Sequence, residues 1–320
     1  MAAPCVTVDC KEWVNLGSGP SGQTAASLIY RSYPLTAKNE AVTRAFVLIH
    51  GAGRDADNYF RTAVAAGFLA GALDNTIIIS PRFAAKNSSC NDALDANELN
   101  WPCNGNSWRA GGVATNHESL TSFDLMDEIL RKLAQKAIFP NLKAIVVAGH
   151  SAGGQFVTRY QMANQVHDTL GVALHYLVAN PSSYAYLDSA RPNATGDIFG
   201  AFTDARNCTT YDQWPYGLQN RAGYTAKLTD EQLKKRLAAR PAVYLLGELD
   251  TTPLAGFDGS CPAMAKGANR FLRGQAYAKY VNQKFGAKHQ VTPVPLCGHN
   301  ARCIFTAEVT LPLLFPKPAP

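Results

Sequence analysis

The sequence predicts an α/β fold in which a mostly parallel sheet carries helices on both faces. Short apolar runs, several rich in β-branched residues, alternate along the chain with longer segments of helical periodicity. Most of these runs do not alternate with polar residues, as expected for strands covered on both faces. With 320 residues, 47% of them hydrophobic, the chain can bury one large core and carry an insertion.

The first half of the chain supplies the edge of the sheet and its first buried strands. Apolar–polar segments at 11–16 and 27–33 indicate antiparallel edge strands, and buried strands are expected in "AFVLIHGAGRD" (45–55) and "TIIISPRF" (76–83). The segment 119–137 has apolar residues at helical spacing, and Ser and Thr residues near its start can cap it.

The second half continues the alternation of strands and helices. Residues 182–240 are largely irregular and rich in Tyr, Asn, Asp and Gly, and the proline-rich end of the chain predicts a surface tail after a short helix. The regular elements expected here are a strand at 172–181, a helix at 228–240 capped by Thr229, a strand at 241–250, a helix near 264–285 and a final strand and loop at 289–300.

The stretch "AIVVAGHSAGGQF" (144–156) places a serine between glycines directly after a buried strand. Gly149 and Gly153 keep Cβ atoms out of a strained strand-to-helix turn, so Ser151 would project at the carboxyl edge of the sheet beside a helix N-terminus. The G-x-S-x-G pattern also occurs by chance, and an incidental serine in an ordinary turn is the alternative. Partner residues elsewhere in the chain decide between the two.

A nucleophilic serine needs a base that accepts its proton and a carboxylate that orients the base. Among the seven histidines, His299 follows the predicted final strand in a glycine-preceded loop, "CGHN", that can reach over the sheet edge. Asp250 follows the strand "AVYLLG" by three residues, and Glu248 and Asp258 are its competitors. The order Ser151, Asp250, His299 along the chain resembles the Ser…Asp/Glu…His order of α/β-hydrolases.

Backbone N–H groups are expected to stabilise the oxyanion that forms during acyl transfer. One donor would be Ala152, the residue after the nucleophile. The second would come from the turn in "HGAGR", where glycines permit unusual φ values and close approach of a substrate. Ala52 is the preferred donor in this turn and Gly53 is the alternative; taken alone, these residues could equally form an ordinary tight turn.

Four segments together resemble a known superfamily. They look like the sequence motifs that carry the oxyanion turn, the nucleophile elbow, the acid and the histidine in the α/β-hydrolase superfamily; the segments are 45–53, 147–154, 247–250 and 297–300. These motifs are spread over most of the chain. They are specific for the superfamily and not for one of its members.

The resemblance implies an α/β-hydrolase fold with an eight-stranded, mostly parallel sheet, no cofactor, and a cap between the sixth and seventh strands. Residues 181–240 would form that cap, and residues 1–180 and 241–320 would form the core domain. The loop at 84–112, which contains two tryptophans, is longer than a minimal member needs and is expected to cover or narrow the site.

We expect a secreted serine hydrolase that cleaves carboxylic esters, small or polymeric, through an acyl-enzyme. A peptidase, amidase or acyltransferase that uses the same residues is the alternative, and an inactive binding protein on this scaffold is the third hypothesis. Aromatic residues suggest a moderately apolar pocket, although packing inside the cap is an equal interpretation of them. The candidate pocket residues are His50, His150, Trp108, Tyr184 and Trp214.

Eight cysteines indicate disulfides and an oxidising compartment. Their spacings include no C-x-x-C and none usual for zinc, so no metal site is expected. A nearest-neighbour scheme leaves Cys208 and Cys261 as the remaining pair. The three close pairs are Cys5 with Cys10, Cys90 with Cys103, and Cys297 with Cys303.

Charge and hydropathy limit the partners of the protein. The net charge of +6 is small and the 30 Lys and Arg residues are scattered, which argues against a nucleic-acid groove. No apolar run approaches the roughly 18 residues of a membrane span. The first ten residues lack the charged and apolar regions of a signal peptide, so we expect a mature chain with an added start methionine, and we expect it to be a monomer.

Overall fold

The computed structural model describes residues 3–18, 24–87, 89–103, 108–254 and 256–316, and these form twelve strands and eight α-helices. The strands are β1 (Lys11–Ser18), β2 (Thr24–Arg31), β3 (Arg44–Ile49), β4 (Thr76–Pro81), β5 (Lys86–Asn87), β6 (Cys90–Asn91), β7 (Ala144–His150), β8 (Ala173–Ala179), β9 (Ala190–Pro192), β10 (Phe199–Ala201), β11 (Ala242–Gly247) and β12 (Gln290–Val294). The helices are α1 (Ala56–Leu69), α2 (Ser122–Leu133), α3 (Ala152–Ala163), α4 (Asp230–Ala239), α5 (Cys261–Met264), α6 (Arg270–Phe285), α7 (Ala301–Thr306) and α8 (Leu311–Leu314).

Eight of the strands form one sheet in the order β1-β2-β4-β3-β7-β8-β11-β12. From β4 to β12 all neighbouring strands run parallel, whereas β2 is antiparallel to both β1 and β4. The mostly parallel sheet and its antiparallel edge, both predicted from the sequence, are therefore confirmed. The short strands form two separate hairpins, β5–β6 and β9–β10.

Alternate side chains of the central strands enter different cores. In β3, Val47 and Ile49 face the core that contains residues of α2, α3 and α6, whereas Phe46 and Leu48 face the core that contains residues of α1 and α7. Every residue of β4 and β7 is buried, which explains why their sequences are apolar without alternation. Helices thus cover both faces of the sheet, as predicted.

The prediction of one helix near 264–285 is wrong in one respect, because two helices, α5 and α6, occupy this region. Gly267 has φ +131°, which a helix cannot accommodate, and it separates them. The side chain of Asn269 then accepts a hydrogen bond from the Leu272 N–H and begins α6. Thr229 caps α4 as predicted and forms a capping box with Gln232. None of the described helices is both long and apolar enough to cross a membrane.

The segment predicted to be a cap contains the β9–β10 hairpin, a short 3₁₀ helix at Gly223–Lys227 and α4. Leu233 and Leu237 of α4 are fully buried in the core that includes α3 and α6. The last part of the segment therefore extends the helical layer of the sheet. The division of the chain into a core domain and a cap stays a prediction.

The long loop at 84–112 contains the β5–β6 hairpin and a 3₁₀ turn at Trp108–Ala110. Both of its tryptophans are buried. Residues 88 and 104–107 of this loop lie outside the described residues, as do the start methionine and residues 317–320 of the expected proline-rich tail.

All eight cysteines form disulfides in the pairing predicted from their spacing. Two of the bridges lie within loops that matter for the site. Cys90–Cys103 closes the long loop, and Cys297–Cys303 closes the turn that carries His299. The bridge Cys208–Cys261 ties the segment before α4 to α5.

Candidate active site

Ser151 occupies the sharp turn between β7 and α3. Its backbone has φ 57° and ψ −115°, a strained conformation for a residue other than glycine, and its N–H donates to the Ala179 carbonyl at 2.9 Å. A Cβ atom on Gly149 would overlap the backbone of Gly153, and a Cβ on Gly153 would overlap the Ile49 carbonyl. The two glycines are thus required for the turn, as the sequence pattern predicts. Ser151 is 8% exposed at the carboxyl edge of the sheet.

His299 lies between Ser151 and Asp250. Its Nε2 is 3.0 Å from Ser151 Oγ, and its Nδ1 is 2.8 Å from Asp250 Oδ2. Because an ionised carboxylate only accepts hydrogen bonds, the Nδ1 atom that faces Asp250 carries the ring hydrogen, and Nε2 is left to accept the serine proton. The three side chains that are distant in sequence therefore form one continuous hydrogen-bonded chain. Such a chain can remove a proton from the serine hydroxyl.

The second oxygen of Asp250 faces Arg270, the first residue of α6. Arg270 Nη1 is 3.4 Å from Asp250 Oδ1, and both side chains are fully buried. Arg270 Nε also donates to Ser182 Oγ at 2.8 Å. Burial lowers the pKa of Arg270, and the adjacent carboxylate raises it again in part. Arg270 could not be predicted as a site residue from the sequence, because an arginine in an amphipathic helix normally indicates a solvated position.

The loop that carries His299 is braced on several sides. The Cys297–Cys303 disulfide closes it, and the Cys297 carbonyl accepts from the Leu249 N–H at 2.9 Å. Asn180 Nδ2 donates to the Gly298 carbonyl at 3.2 Å. The hydrogen bond from Leu249 joins the histidine loop to the turn that follows β11, where Asp250 lies, and the one from Asn180 joins it to the residue that follows β8.

The turn after β3 passes close to Ser151. A Cβ on Gly51 would lie 3.7 Å from the Cβ of Ser151, and Arg54 closes the turn with φ 55°. His50 Nδ1–H donates to the Gly51 carbonyl at 2.8 Å, and His50 Nε2 accepts from the Phe83 N–H at 3.0 Å. Burial lowers the pKa of His50 to about 4, so the ring is neutral at pH 7 and both hydrogen bonds persist. His50 thus holds the turn and is fully buried.

The expected oxyanion donors occupy two sides of Ser151. Ala152 is the first residue of α3, where backbone N–H groups have no partner within the helix. Ala52 and Gly53 form the exposed tip of the turn after β3. This arrangement is compatible with donors from both elements, and their assignment stays a prediction.

His150 packs directly against His299. The two rings have centroids 4.5 Å apart with planes at 37°, and the hydroxyl of Tyr59 lies 3.0 Å from His150 Nδ1. Burial lowers the pKa of His150 well below its usual value, and the neighbouring His299 and Arg270 lower it further. A neutral ring beside His299 does not repel the imidazolium that would form when His299 accepts a proton.

The other three candidate pocket residues make mainly packing contacts. Trp108 is 2% exposed and stacks on Phe83 with centroids 5.0 Å apart. Tyr184 is fully buried and stacks on Tyr277 at 4.5 Å. Trp214 is half-buried and donates its Nε1–H to the Ala110 carbonyl at 3.1 Å. A role of these side chains in substrate binding stays a prediction.

The residues that the structure describes include no cluster of three or more His, Cys, Asp or Glu side chains suited to a metal ion.

Comparison with known proteins identifies the family. The model of the alpha/beta hydrolase family matches residues 46–308. The fold is similar to that of poly(aspartic acid) hydrolase-1 from Sphingomonas sp. KT-1, with 19% identity, a TM-score of 0.62 and coverage of 95% of this chain and 96% of that one. It is also similar to LpqC, a poly(3-hydroxybutyrate) depolymerase from Bordetella parapertussis, with 21% identity, a TM-score of 0.63 and coverage of 95% and 90%.

Because their sequence identities are 19% and 21%, these two structures show only that the fold is shared. A comparison with curated protein sequences found no match. The family model, by contrast, spans most of the chain. The superfamily resemblance inferred from the four sequence motifs is therefore confirmed: the chain belongs to the alpha/beta hydrolase family.

Proposed function

We propose that the protein hydrolyses carboxylic esters through an acyl-enzyme, with Ser151 as nucleophile, His299 as base and Asp250 as the group that orients the base. The observation that carries this proposal is the position of His299, within hydrogen-bonding distance of both Ser151 Oγ and Asp250 Oδ2. Membership of the alpha/beta hydrolase family supports a hydrolase on independent grounds.

The reaction would proceed in two halves. Ser151 Oγ attacks the ester carbonyl while His299 Nε2 takes the hydroxyl proton, and Asp250 stabilises the imidazolium that forms. His299 then donates this proton to the leaving alcohol as the C–O bond breaks, which leaves the acyl group on the serine. Water then attacks the acyl-enzyme while His299 takes one of its protons, and His299 returns this proton to Ser151 Oγ as the bond from the acyl carbon to Oγ breaks and the acid leaves.

The oxyanion of each tetrahedral intermediate would lie between the two elements that flank Ser151. Backbone N–H groups of Ala152 and of Ala52 or Gly53 are the proposed donors. His50 supports this role because its hydrogen bonds to the Gly51 carbonyl and the Phe83 N–H hold the turn in one conformation. A preorganised turn would not have to reorganise as the charge develops.

The proposed substrates include polymeric esters as well as small ones. The two solved structures with a similar fold are named for a poly(3-hydroxybutyrate) depolymerase and a poly(aspartic acid) hydrolase, so a polymeric substrate belongs to the proposal beside small esters. We also place the protein in an oxidising, extracellular compartment, because four disulfides persist in such an environment.

Substitution of the nucleophile tests the proposal. We expect Ser151→Ala to lower kcat for p-nitrophenyl butyrate by at least about 10⁴-fold, because the remaining site can stabilise charge but has no nucleophile. The thermal unfolding temperature should stay close to that of the wild type, since the change removes only one hydroxyl. Retained turnover would remove Ser151 from the mechanism, and faster cleavage of the matched anilide than of the ester would replace esters by amides as the substrate class.

A further inference from the structure

The Tyr59 hydroxyl lies between the turn after β3 and the end of β7. Tyr59 is in the first turn of α1, and its side chain is buried. Its hydroxyl is 3.0 Å from His150 Nδ1, and a Cβ atom on Gly51 would lie 2.8 Å from the same hydroxyl. One buried oxygen therefore contacts both the turn that contains the expected oxyanion donors and the residue before Ser151.

Both of these contacts can be hydrogen bonds at the same time. Burial raises the pKa of Tyr59, and a hydrogen bond with the Gly51 backbone lowers it in part. Because only a donor stabilises the phenolate, it is the Gly51 N–H that donates to the hydroxyl oxygen. The hydroxyl can still donate its own hydrogen to His150 Nδ1, since a phenol both accepts and donates.

Gly51 is consequently held at both of its backbone polar groups. Its carbonyl accepts from His50 Nδ1–H at 2.8 Å, and the rings of His50 and Tyr59 have centroids 6.4 Å apart. Ala52 and Gly53 follow directly in the chain, so the backbone at Gly51 determines where their N–H groups lie.

His150 carries the second contact of Tyr59 to the proposed base. Its ring packs on that of His299 with centroids 4.5 Å apart, and His299 Nε2 is 3.0 Å from Ser151 Oγ. His299 belongs to a loop, so no helix or strand restricts the rotation of its side chain. The neighbouring ring of His150 restricts this rotation on one side.

Packing alone does not explain a histidine at position 150. Its Nε2 is buried and has no hydrogen-bond partner among the residues that the structure describes. A buried polar atom without a partner lowers stability, and an apolar side chain of similar size would fill the space without this cost. The hydrogen bond between Nδ1 and Tyr59 is the contact that an apolar residue could not make.

We propose that Tyr59 and His150 are positioning residues of this site. The Tyr59 hydroxyl holds the turn after β3 against the end of β7, and the His150 ring holds the plane of His299. The inference rests on the proposed function, because it concerns how the base and the oxyanion donors of the same site stay aligned. One hydrogen-bonded unit thus joins both parts of the site, and neither has to move as charge develops.

Removal of the hydroxyl tests the proposal in the whole chain. We expect Tyr59→Phe, which keeps the ring, to lower kcat for p-nitrophenyl butyrate by about tenfold and to leave KM within about twofold of the wild type. The effect falls on kcat because the alignment of donors and base matters more in the transition state than in the bound ester.

A tetrahedral inhibitor provides a second measurement. Phenylboronic acid adds to a serine hydroxyl and forms a tetrahedral adduct that resembles the intermediate of ester hydrolysis. Its inhibition constant should rise in Tyr59→Phe by about the same factor as kcat/KM falls. A substitution that only loosened the packing of α1 would not change these two quantities together.

The two residues should also act as a unit. His150→Leu removes the Nδ1 acceptor and the ring, and we expect it to lower kcat by about tenfold or more. Tyr59→Phe should then have a clearly smaller effect in the His150→Leu background than in the wild type, because the bond between the two side chains is already absent. Full multiplication of the two single effects in a folded double variant would overturn the inference.

Tyr33→Phe is the matched control. Tyr33 is buried and donates its hydroxyl hydrogen to the Asp74 carbonyl at 3.2 Å, before the start of β4 and therefore at the opposite edge of the sheet from Ser151. The control should lose thermal stability, as Tyr59→Phe does, and keep the wild-type kcat.

A folded Tyr59→Phe protein with the wild-type kcat and the wild-type affinity for phenylboronic acid would contradict the inference, and so would an equal loss of kcat in Tyr33→Phe. If Tyr59→Phe does not fold, a folded His150→Leu protein with the wild-type kcat leads to the same conclusion. Failure of the proposed function gives a different result, in which Ser151→Ala retains turnover.

Discussion

At the scale of single residues, the contact between Arg270 and Asp250 has the clearest consequence for the proposed catalysis. The carboxylate has two oxygens and only one of them faces His299. The other faces Arg270, and both groups are fully buried, so neither can exchange its partner for water. We infer that Arg270 is a positioning residue that prevents the carboxylate from rotating away from His299.

We therefore expect Arg270→Gln to lower kcat for a neutral ester by about tenfold or more and to destabilise the fold by about 3 kcal/mol, because it leaves a buried carboxylate without its cation. The pH dependence of kcat/KM should shift as well, since the charge next to the His299–Asp250 pair changes. Arg270→Lys, which retains the charge, should keep the wild-type pH profile more closely. Steady-state kinetics from pH 5 to 9 and thermal unfolding provide the measurement. A folded Arg270→Gln protein with the wild-type kcat and pH profile would contradict a positioning role.

At the scale of elements, the loop after β12 places the proposed base. Its two cysteines have a sequence separation of 6, and the loop follows the last strand of the sheet, which ends at Val294. Because neither a helix nor a strand fixes His299, its position depends on the disulfide and on hydrogen bonds from Leu249 and Asn180. The disulfide should therefore affect activity beyond its effect on stability.

Replacement of Cys297 and Cys303 by serine tests this expectation. A bridge across so short a loop stabilises the fold by about 2 kcal/mol, and its loss should also lower kcat severalfold because His299 samples more positions. The matched control is the double serine variant of Cys5 and Cys10, a bridge with a sequence separation of 5 far from the site in sequence. The control should lose comparable thermal stability and retain the wild-type kcat. Equal kcat values for the two variants would show that the bridge does not position His299.

At the scale of the whole molecule, buried neutral histidines link stability to pH. His289 lies where α4, β11 and β12 meet: its Nδ1 is 2.7 Å from the Tyr244 hydroxyl and its Nε2 is 3.2 Å from the Leu237 carbonyl. Burial lowers the pKa of His289 to about 4, the same value as for His50. The unfolded chain binds a proton at each of these residues near pH 6.5, and the folded chain does not.

The free energy of unfolding should consequently decrease as the pH falls from about 6.5 to about 4, with about 3 kcal/mol attributable to His289. His289→Gln should flatten this slope, and the same substitution at the half-buried His117 is the control. Asp127 acts in the opposite direction, because burial raises its pKa to about 6 and its stabilisation is lost as the pH rises. The free energy of unfolding is therefore measured by urea denaturation at several pH values, and its dependence on pH is compared between the variant and the wild type. An unchanged slope for His289→Gln would contradict the assignment.

The fold and the residues of the proposed triad could be predicted from the sequence because short, local sequence patterns indicate them. Continuous apolar runs indicate strands covered on both faces, and the glycines around Ser151 are required by the strained turn at that position. The boundaries of helices were harder to predict from the sequence. The helix predicted near 264–285 is interrupted at Gly267, and nothing in the sequence except the glycine itself indicates its φ of +131°.

By itself, the sequence determined the fold class, the elbow at Ser151 and the order of the candidate acid and base, whereas it favoured the pairing of the cysteines without fixing it. The tertiary structure alone decided which distant side chains meet: the distances between Ser151, His299 and Asp250, and the buried Arg270 behind the carboxylate. The reason is physical. Local backbone preferences follow from neighbouring residues, whereas the charge around a buried group depends on residues that only the packing of separate elements brings together.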